Sequence, residues 1–127
     1  SFSMQIKLLS AAFTLILTQL LNQTGLAQDW RWAKAAGGNG DDHAAAIAVD
    51  AAKNTYVTGY YVNTATFGSI NLTNAGSRDI FIARYDANGQ VVWAQRAGGS
   101  GLDEGRGIAL DGLGNVYVAG YFNNIAA

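Results

Sequence analysis

The sequence predicts an all-β protein made of four-stranded antiparallel sheets repeated in series. Two observations carry this prediction: an internal repeat, and strands that are apolar on both faces. The repeat is visible when AIAVDAAKNTYVTGYY (46–61) is set beside GIALDGLGNVYVAGYF (107–122). An offset of 61 residues, with no gap, makes 17 of the 35 positions in 32–66 identical to those in 93–127. The two stretches are therefore the same part of two successive structural units.

Each unit contains four short apolar runs joined by turn residues. IAVD and TYVTGYY flank the link AAKN, and DIFIARYD and QVVWAQRAG flank the turn at 87–89, so Asp, Asn and Gly turns predict two hairpins. In DIFIARYD, Phe81 and Ala83 point to one face while Ile80 and Ile82 point to the other. A sheet that is apolar on both sides must lie between two others, which predicts β-propeller blades. We expect about one and a half blades of an incomplete propeller, because a closed ring needs roughly four to eight.

The beginning of the chain has the features of a secretory signal peptide. A start at Met4 is followed by Lys7, by an apolar run over residues 8–21, and by small residues that favour cleavage after Ala27. The run is shorter than the roughly 20 residues needed to span a membrane. Its apolar residues are also not confined to one helical face, as they would be in an amphipathic helix.

These features predict two segments. Residues 1–27 comprise a few upstream residues and the signal peptide, and residues 28–127 comprise propeller repeats with a period of 61. We expect an exported protein in the periplasm, at the cell surface or outside the cell, with no stable membrane anchor after cleavage. The incomplete repeat also predicts that the chain is an N-terminal fragment and that further blades of the same chain are among its partners.

Composition excludes several kinds of function. The net charge of -1 and the pI near 5.6 provide no basic patch, so nucleic acid is not expected as a partner. The chain has no Cys, which excludes disulfides, thiolate metal sites and a cysteine nucleophile. Half of the residues are hydrophobic and 13% are charged, against roughly 25% in an average domain, which indicates that much of the surface is meant to be covered.

The repeat resembles a known family. The motif I-A-V-D-x-x-x-N-x-Y-V-T-G (47–59), T-F-G (66–68), D-I-F-I-A-R-Y-D-x-N-G-x-x-x-W-A (79–94) and G-G-x-G-x-D (98–103) are similar to the SBBP family of bacterial β-propeller repeats. The resemblance covers nearly all of residues 32–127. It implies an exported or cell-surface protein with many blades, and it implies no particular reaction.

The two units depart from each other at a few positions. Lys53 stands where the second unit has Gly114, and His43-Ala44 stand where it has Glu104-Gly105. Neither loop is therefore a strict copy of the other.

Asp and Asn at the strand ends could be calcium ligands or turn residues. Asp50 and Asp111 are each followed four residues later by Asn, as Asn54 and Asn115. A calcium site needs six or more oxygens, whereas Asp and Asn side chains readily bind their own backbone in turns. We expect turns, and we interpret the acidic turn 86–89 as a hairpin tip, so no metal and no cofactor is predicted.

The Gly-rich loops GGNGDDH (37–43) and GGSGLDE (98–104) could bind phosphate or connect blades. A phosphate loop begins a helix, but β-strands follow here and acidic neighbours would repel an anion. We therefore expect blade-connecting loops in which Gly allows close approach of the backbone. Because such loops lie at one rim of a propeller, Asp42 and Asp103 are predicted as surface contacts for a partner.

The remaining candidates are aromatic. His43 is the only His and has no partner nucleophile in its loop, so we expect a solvated residue rather than a catalyst. Trp32 and Trp93 could stack on sugars, but their equivalent positions in the repeat favour packing between blades.

Two functions remain. The first is a secreted or cell-surface scaffold that binds a protein or glycan ligand through loops that vary between units. The alternative is a propeller domain of an exported enzyme, quinoprotein-like or a hydrolase, with its catalytic residues in blades beyond this chain. Repetition preserves packing, whereas a catalytic centre must depart from it, so the scaffold is favoured and no catalytic residue is predicted here.

Overall fold

The computed structural model describes residues 31–123, and the regular elements in that range are all β-strands. All of these strands lie in one compact unit, Lys34–Ala127. The predicted signal peptide at 1–27 lies outside the described residues and stays a prediction. Within residues 31–123 there is no helix able to cross a membrane. The strands are β1 (Ala36–Gly37), β2 (His43–Val49), β3 (Thr55–Tyr61), β4 (Thr64–Phe67), β5 (Ile70–Thr73), β6 (Asp79–Tyr85), β7 (Val91–Ala97), β8 (Glu104–Leu110) and β9 (Val116–Tyr121).

The predicted four-stranded blade is present. Its strands lie in the order β2-β3-β6-β7, and every neighbouring pair is antiparallel. The first hairpin turns at residues 50–54 and the second at 86–90, as the Asp, Asn and Gly positions predicted. We call this sheet the first blade.

The second unit repeats the first hairpin of that blade. β8 pairs with β9, and Glu104 lies opposite Tyr121 just as His43 lies opposite Tyr60 in β2 and β3. Both strand pairs also have a register shift at equivalent positions. It lies between Ala44 and Ala46 in β2 and between Gly105 and Gly107 in β8. We call the β8-β9 hairpin the second blade, of which the described residues form the first half.

A second, smaller sheet was not predicted from the sequence. β4 and β5 form a hairpin, and β1 pairs with β4 to give the order β1-β4-β5. Phe67 pairs with Ile70, so Gly68 and Ser69 are the two turn residues, and Gly68 has a φ of +61°. A Gly at the first position of a two-residue turn is the signal that could have predicted this hairpin.

The central strands of the first blade, β3 and β6, carry buried side chains on both faces, as predicted for the blade. The first face carries Phe81 and Ala83, which are 5% and 0% exposed, and the second face carries Thr58 and Ile80, which are 0% and 1% exposed. The β4-β5 hairpin covers part of the first face, where the rings of Phe67 and Phe81 are 4.9 Å apart.

The second blade covers the second face of the first blade. β8 packs on β2 and β3, and Gly105 lies against Thr58 and Ile80. The predicted face-to-face packing of blades is thereby confirmed. The described residues form an open arrangement of one complete blade and half of the next, which is an incomplete propeller.

Candidate functional site

The Asp and Asn residues at the hairpin tips are bonded within their own turns. Asp50 Oδ1 accepts from the backbone N–H groups of Ala52 and Asn54, both at 2.9 Å, and its Oδ2 accepts from Asn54 Nδ2 and the Tyr56 hydroxyl. The hydrogen bond from the Asn54 side chain is the largest of the effects that lower the pKa of Asp50. Both carboxylate oxygens are therefore engaged in hydrogen bonds within the turn, as expected for a turn residue.

The second blade repeats this turn atom for atom. Asp111 accepts from the backbone of Leu113 and Asn115 and from the side chains of Asn115 and Tyr117. The Asn115 side chain contributes most to lowering the pKa of Asp111 to about 2. The tip at Asp86 follows the same pattern, with backbone donors from Asn88 and Gln90 at 2.9 Å.

Asp42 and Asp103, the predicted surface contacts, both anchor a Gly loop. Asp42 accepts from the backbone N–H groups of Gly38 at 2.7 Å and Val62 at 3.4 Å. Asp103 accepts from Gly99 at 2.8 Å and, 61 residues after Val62, from Asn123 at 3.0 Å. In each blade the carboxylate therefore ties the incoming loop to the end of the second strand.

These two carboxylates differ in exposure. Asp42 is half-buried, whereas Asp103 has 0% exposure. The predicted partner contact stays a prediction, and the burial of Asp103 argues against it because a partner could not reach that carboxylate in this conformation.

A buried charge lies close to Asp103. Asp79 is fully buried and accepts from Arg96 at 2.7 Å and from the Ala75 backbone at 2.8 Å. Gly98, with a φ of +144°, passes between the two carboxylates, since a Cβ there would lie 3.1 Å from Asp79 Oδ1 and 2.8 Å from Asp103 Oδ2. The Gly is therefore required both by its backbone conformation and by the lack of space.

Three buried side-chain atoms of the described residues lack a hydrogen-bond partner: Asp79 Oδ1, the Tyr61 hydroxyl and Arg84 Nε. Burial, reinforced by the charge of Asp79, raises the pKa of Tyr61 to about 12.

An open groove of about 570 Å³ runs along the first Gly loop. Its charged lining residue is Asp42, which is already bonded to Gly38 and Val62. In the second unit the chain at Gly76 packs directly on the equivalent loop. A Cβ at Gly76 would meet the backbone of residues 99–101. The groove is thus the exposed counterpart of a packed surface rather than an enclosed ligand pocket.

At the end of the blades opposite the Asp-Asn tips, side chains from both blades converge on Arg78. Its guanidinium lies 4.2 Å from the Tyr60 ring centroid, 3.3 Å from Asp41 Oδ2 and 2.5 Å from Glu104 Oε1. The His43 ring stacks on Tyr60 at 5.4 Å. We call these five residues the Arg78 cluster.

The charged side chains of the Arg78 cluster affect one another. Burial is the largest single effect on Arg78 and lowers its pKa, but the hydrogen bond to Glu104 and the interactions with Tyr60, Glu104 and Asp41 together outweigh it, so the pKa of Arg78 is raised. The hydrogen bond from Arg106, with a further one from Arg78, lowers the pKa of Glu104 despite partial burial. Glu104 is therefore held ionised between two guanidinium groups.

The Arg78 cluster includes positions at which the two units differ. His43 is replaced by Glu104 in the second unit, and Asp41 is replaced by Leu102. The repeated Asp residues, in contrast, are used for internal hydrogen bonds. Three side chains that differ between the units, Asp41, His43 and Glu104, are thus brought together around Arg78 and Tyr60, whereas the repeated Asp residues support the fold.

The aromatic predictions have mixed outcomes. His43 is exposed as predicted, but it stacks on Tyr60 rather than being freely solvated. Trp93 lies 6.3 Å from the Tyr56 ring and is half-buried, so it packs at the second face, although less deeply than predicted. Among residues 31–123, no group of three or more His, Asp or Glu side chains could hold a metal ion.

Comparison with known proteins agrees with this geometry. Residues 92–124 match the SBBP family, described as a beta-propeller repeat. The SBBP match runs from β7 through β9, across the interface between the blades. An uncharacterized WD repeat-containing protein of Acanthamoeba polyphaga mimivirus is 33% identical over 87 residues, which cover 61% of this chain and 6% of that protein. The chain therefore spans a small part of that curated relative, and no solved structure matches it.

Proposed function

We propose that this chain contributes blades to a β-propeller scaffold that binds a protein partner through the Arg78 cluster. The observation that carries the proposal is that some side chains are bonded within the blades while others are gathered on one surface. The Asp residues repeated in both units are bonded internally, whereas the cluster brings Asp41, His43 and Glu104, which differ between the units, together with Arg78 and the repeated Tyr60 on one surface. The similarity to a beta-propeller repeat and to a WD repeat-containing protein supports the same class of function.

The chemistry of the Arg78 cluster suits a protein surface. Arg and Tyr are enriched at the centres of interfaces, where a guanidinium and a ring offer large contact area together with hydrogen bonds. Asp41 is 65% exposed and Arg78 is 30% exposed, so both can be reached. Glu104, at 17%, holds Arg78 in place from below.

Photocrosslinking can locate the binding surface. A photoreactive amino acid would replace His43 in the cluster and, as a control, the exposed Asn88 at the opposite end of the blade. We expect a discrete crosslinked protein from position 43 and none from position 88. Equal crosslinking at the two positions would count against the proposal.

The captured protein is then purified and titrated with the chain. Arg78→Ala is expected to weaken binding at least tenfold, since it removes the central donor of the Arg78 cluster. Lys53→Ala, at the opposite end, is expected to leave binding unchanged. The fold should survive Arg78→Ala, because a partly exposed ion pair contributes only about 0–1 kcal/mol to stability.

Export and a non-catalytic role belong to the same proposal. Export is supported by the sequence of residues 4–27. Expression in a bacterial host followed by N-terminal sequencing is expected to give mature protein beginning at Gln28. Protein that still begins at Met4 would contradict export while leaving the scaffold proposal untouched.

A further inference from the structure

Equivalent residues of the two blades differ sharply in exposure. Tyr56 on the second face of the first blade is 6% exposed, whereas Tyr117, its counterpart 61 residues later, is 57% exposed. Tyr56 lies beside Trp93 and below the guanidinium of Arg84, on the face that the second blade covers. The second face of the second blade is therefore open at the position where the first blade is closed.

On the first face the difference is reversed, because here the residues of the first blade are the more exposed ones. Ile47 and Val49 in β2 are 65% and 56% exposed. Their counterparts in β8, Ile108 and Leu110, are half-buried. Because side chains alternate along a strand, Ile47 and Val49 lie on the first face, opposite Val57 and Thr55. The first face of the first blade thus exposes the apolar residues that the second blade uses for packing.

The interface inside the chain shows how the two exposed faces fit each other. There, the second face of one blade packs on the first face of the next, through Thr58 and Gly105. The two exposed faces are of the same two kinds and lie at opposite sides of the pair of blades. One exposed face is a first face and the other is a second face. They can therefore pack on each other as the first and second faces do inside the chain.

We propose that two copies of this chain associate head to tail. The first face of the first blade in one copy packs on the second face of the second blade in the other, which repeats the internal interface between molecules. Such a heterologous contact uses a different surface on each copy and can continue into a ring or a filament. The proposal rests on blade packing and is independent of binding at the Arg78 cluster.

The residues at the centre of the predicted contact have compensating sizes. Inside the chain, Gly105 makes room for Thr58. Between copies, the equivalent positions carry Ala44 on one side and Ala119 on the other. Ala44 is larger than Gly105 by one methyl group, and Ala119 is smaller than Thr58. The volume at the contact is therefore approximately preserved. This exchange favours a second copy over an unrelated partner.

Sedimentation equilibrium of the 127-residue chain tests the proposal. We expect the weight-average mass to rise with concentration above the 13.3 kDa of one chain. Ile47→Glu on the first face and Ala119→Glu on the second face are each expected to weaken association at least tenfold. Leu113→Glu, at a hairpin tip with 88% exposure, is the matched control and is expected to have no effect.

Mixing the two face variants provides the sharpest result. Each keeps one intact face, so an equimolar mixture of Ile47→Glu and Ala119→Glu is expected to form a dimer with one chain of each and to grow no further. Circular dichroism checks that each variant keeps its β-sheet. If either does not, Val49→Lys and Tyr117→Lys replace the pair.

Several outcomes would overturn the proposal. A chain that stays monomeric at all concentrations contradicts it, as does association that neither substitution weakens. Sensitivity to only one substitution would indicate contact between like faces instead. Failure of the mixture to form the mixed dimer would also exclude head-to-tail packing.

Discussion

Gly105 of the second blade lies directly against the Thr58 side chain of the first, with no space for a Cβ between them. Thr58 is fully buried there, and its hydroxyl donates to the Phe81 carbonyl oxygen at 2.8 Å. The hydroxyl is thus satisfied inside its own sheet, and its oxygen is the Thr58 atom that lies against Gly105. This contact explains why the second unit has Gly where the first has Ala44.

Replacement of Gly105 by Ala is expected to destabilise the packing between the blades. Its methyl group would collide with Thr58 and lie 3.1 Å from Ile80 Cγ2, a degree of overpacking that typically costs about 1–3 kcal/mol. Gly107→Ala is the matched control, because a Cβ at that position meets nothing within 4 Å. Urea unfolding should show a lower midpoint for Gly105→Ala alone, and equal midpoints would contradict the packing described.

Lys53→Gly is expected to stabilise the first hairpin. Lys53 has a φ of +72°, and its counterpart Gly114 has a φ of +89°. The left-handed region costs a non-Gly residue about 1–2 kcal/mol, partly offset by the greater entropy that Gly loses on folding, so a gain of about 0.5–1 kcal/mol is expected.

The reciprocal change serves as a control for Lys53→Gly. Gly114→Lys should destabilise by a similar amount, since open space surrounds Gly114 and the strain would come from φ alone. Both effects can be measured by urea unfolding. A loss of stability in Lys53→Gly would show that the Lys side chain contributes more than the backbone strain costs.

Stability is expected to fall between about pH 4 and pH 2. The folded pKa values of Asp50 and Asp111 lie below the ordinary value of 3.8, that of Asp111 at about 2. Groups with a lowered folded pKa contribute stability that is complete above the unfolded pKa and is lost as the pH falls through the folded one. Asp111→Asn should reduce stability at pH 7 and have a much smaller effect at pH 2, where the wild-type carboxyl is about half protonated in the folded protein and almost fully protonated in the unfolded one.

The pH dependence has an internal control. Gln90 is exposed and carries no ionisable group, so Gln90→Asn should shift the urea midpoint equally at both pH values, if at all. A difference between wild type and Asp111→Asn that stays constant from pH 7 to pH 2 would disprove the role given to the carboxylate.

Asp103→Ala is expected to destabilise more than Asp42→Ala. Removal of the buried carboxylate leaves the N–H groups of Gly99 and Asn123 without their acceptor, at a cost of about 3 kcal/mol. Water can reach the half-buried position of Asp42 and replace part of its hydrogen bonding, so a loss of about 1 kcal/mol of stability is expected for Asp42→Ala. Thermal unfolding of the two variants measures the difference, and equal losses would contradict the assignment by burial.

Much of the fold follows from local rules. The repeat, the hairpins and the two apolar faces were predictable because strand alternation and Asp-Asn-Gly turns act over a few residues. The β4-β5 hairpin was missed because its strands have four residues each and its turn signal is the single Gly68.

The candidate site was less predictable, since it depends on packing. Asp103 was expected at a surface, but contact with the β5-β6 segment buries it. Arg78 and Glu104 are 26 residues apart and meet only because the second blade packs on the first. The sequence showed that the equivalent positions 43 and 104 carry different residues, His43 and Glu104. Nothing in the repeat indicated which residue Glu104 would contact.

The fold and the Arg78 cluster both depend on face-to-face packing of the second blade on the first. Nuclear Overhauser spectroscopy of isotope-labelled protein tests this packing through contacts between the Gly105 α-protons and the γ2 methyl group of Ile80. We predict a strong cross-peak between these groups, alongside those between the Phe67 and Phe81 rings. Ring cross-peaks without any from Gly105 would show that the first blade folds but the second does not pack on it, and would contradict the account.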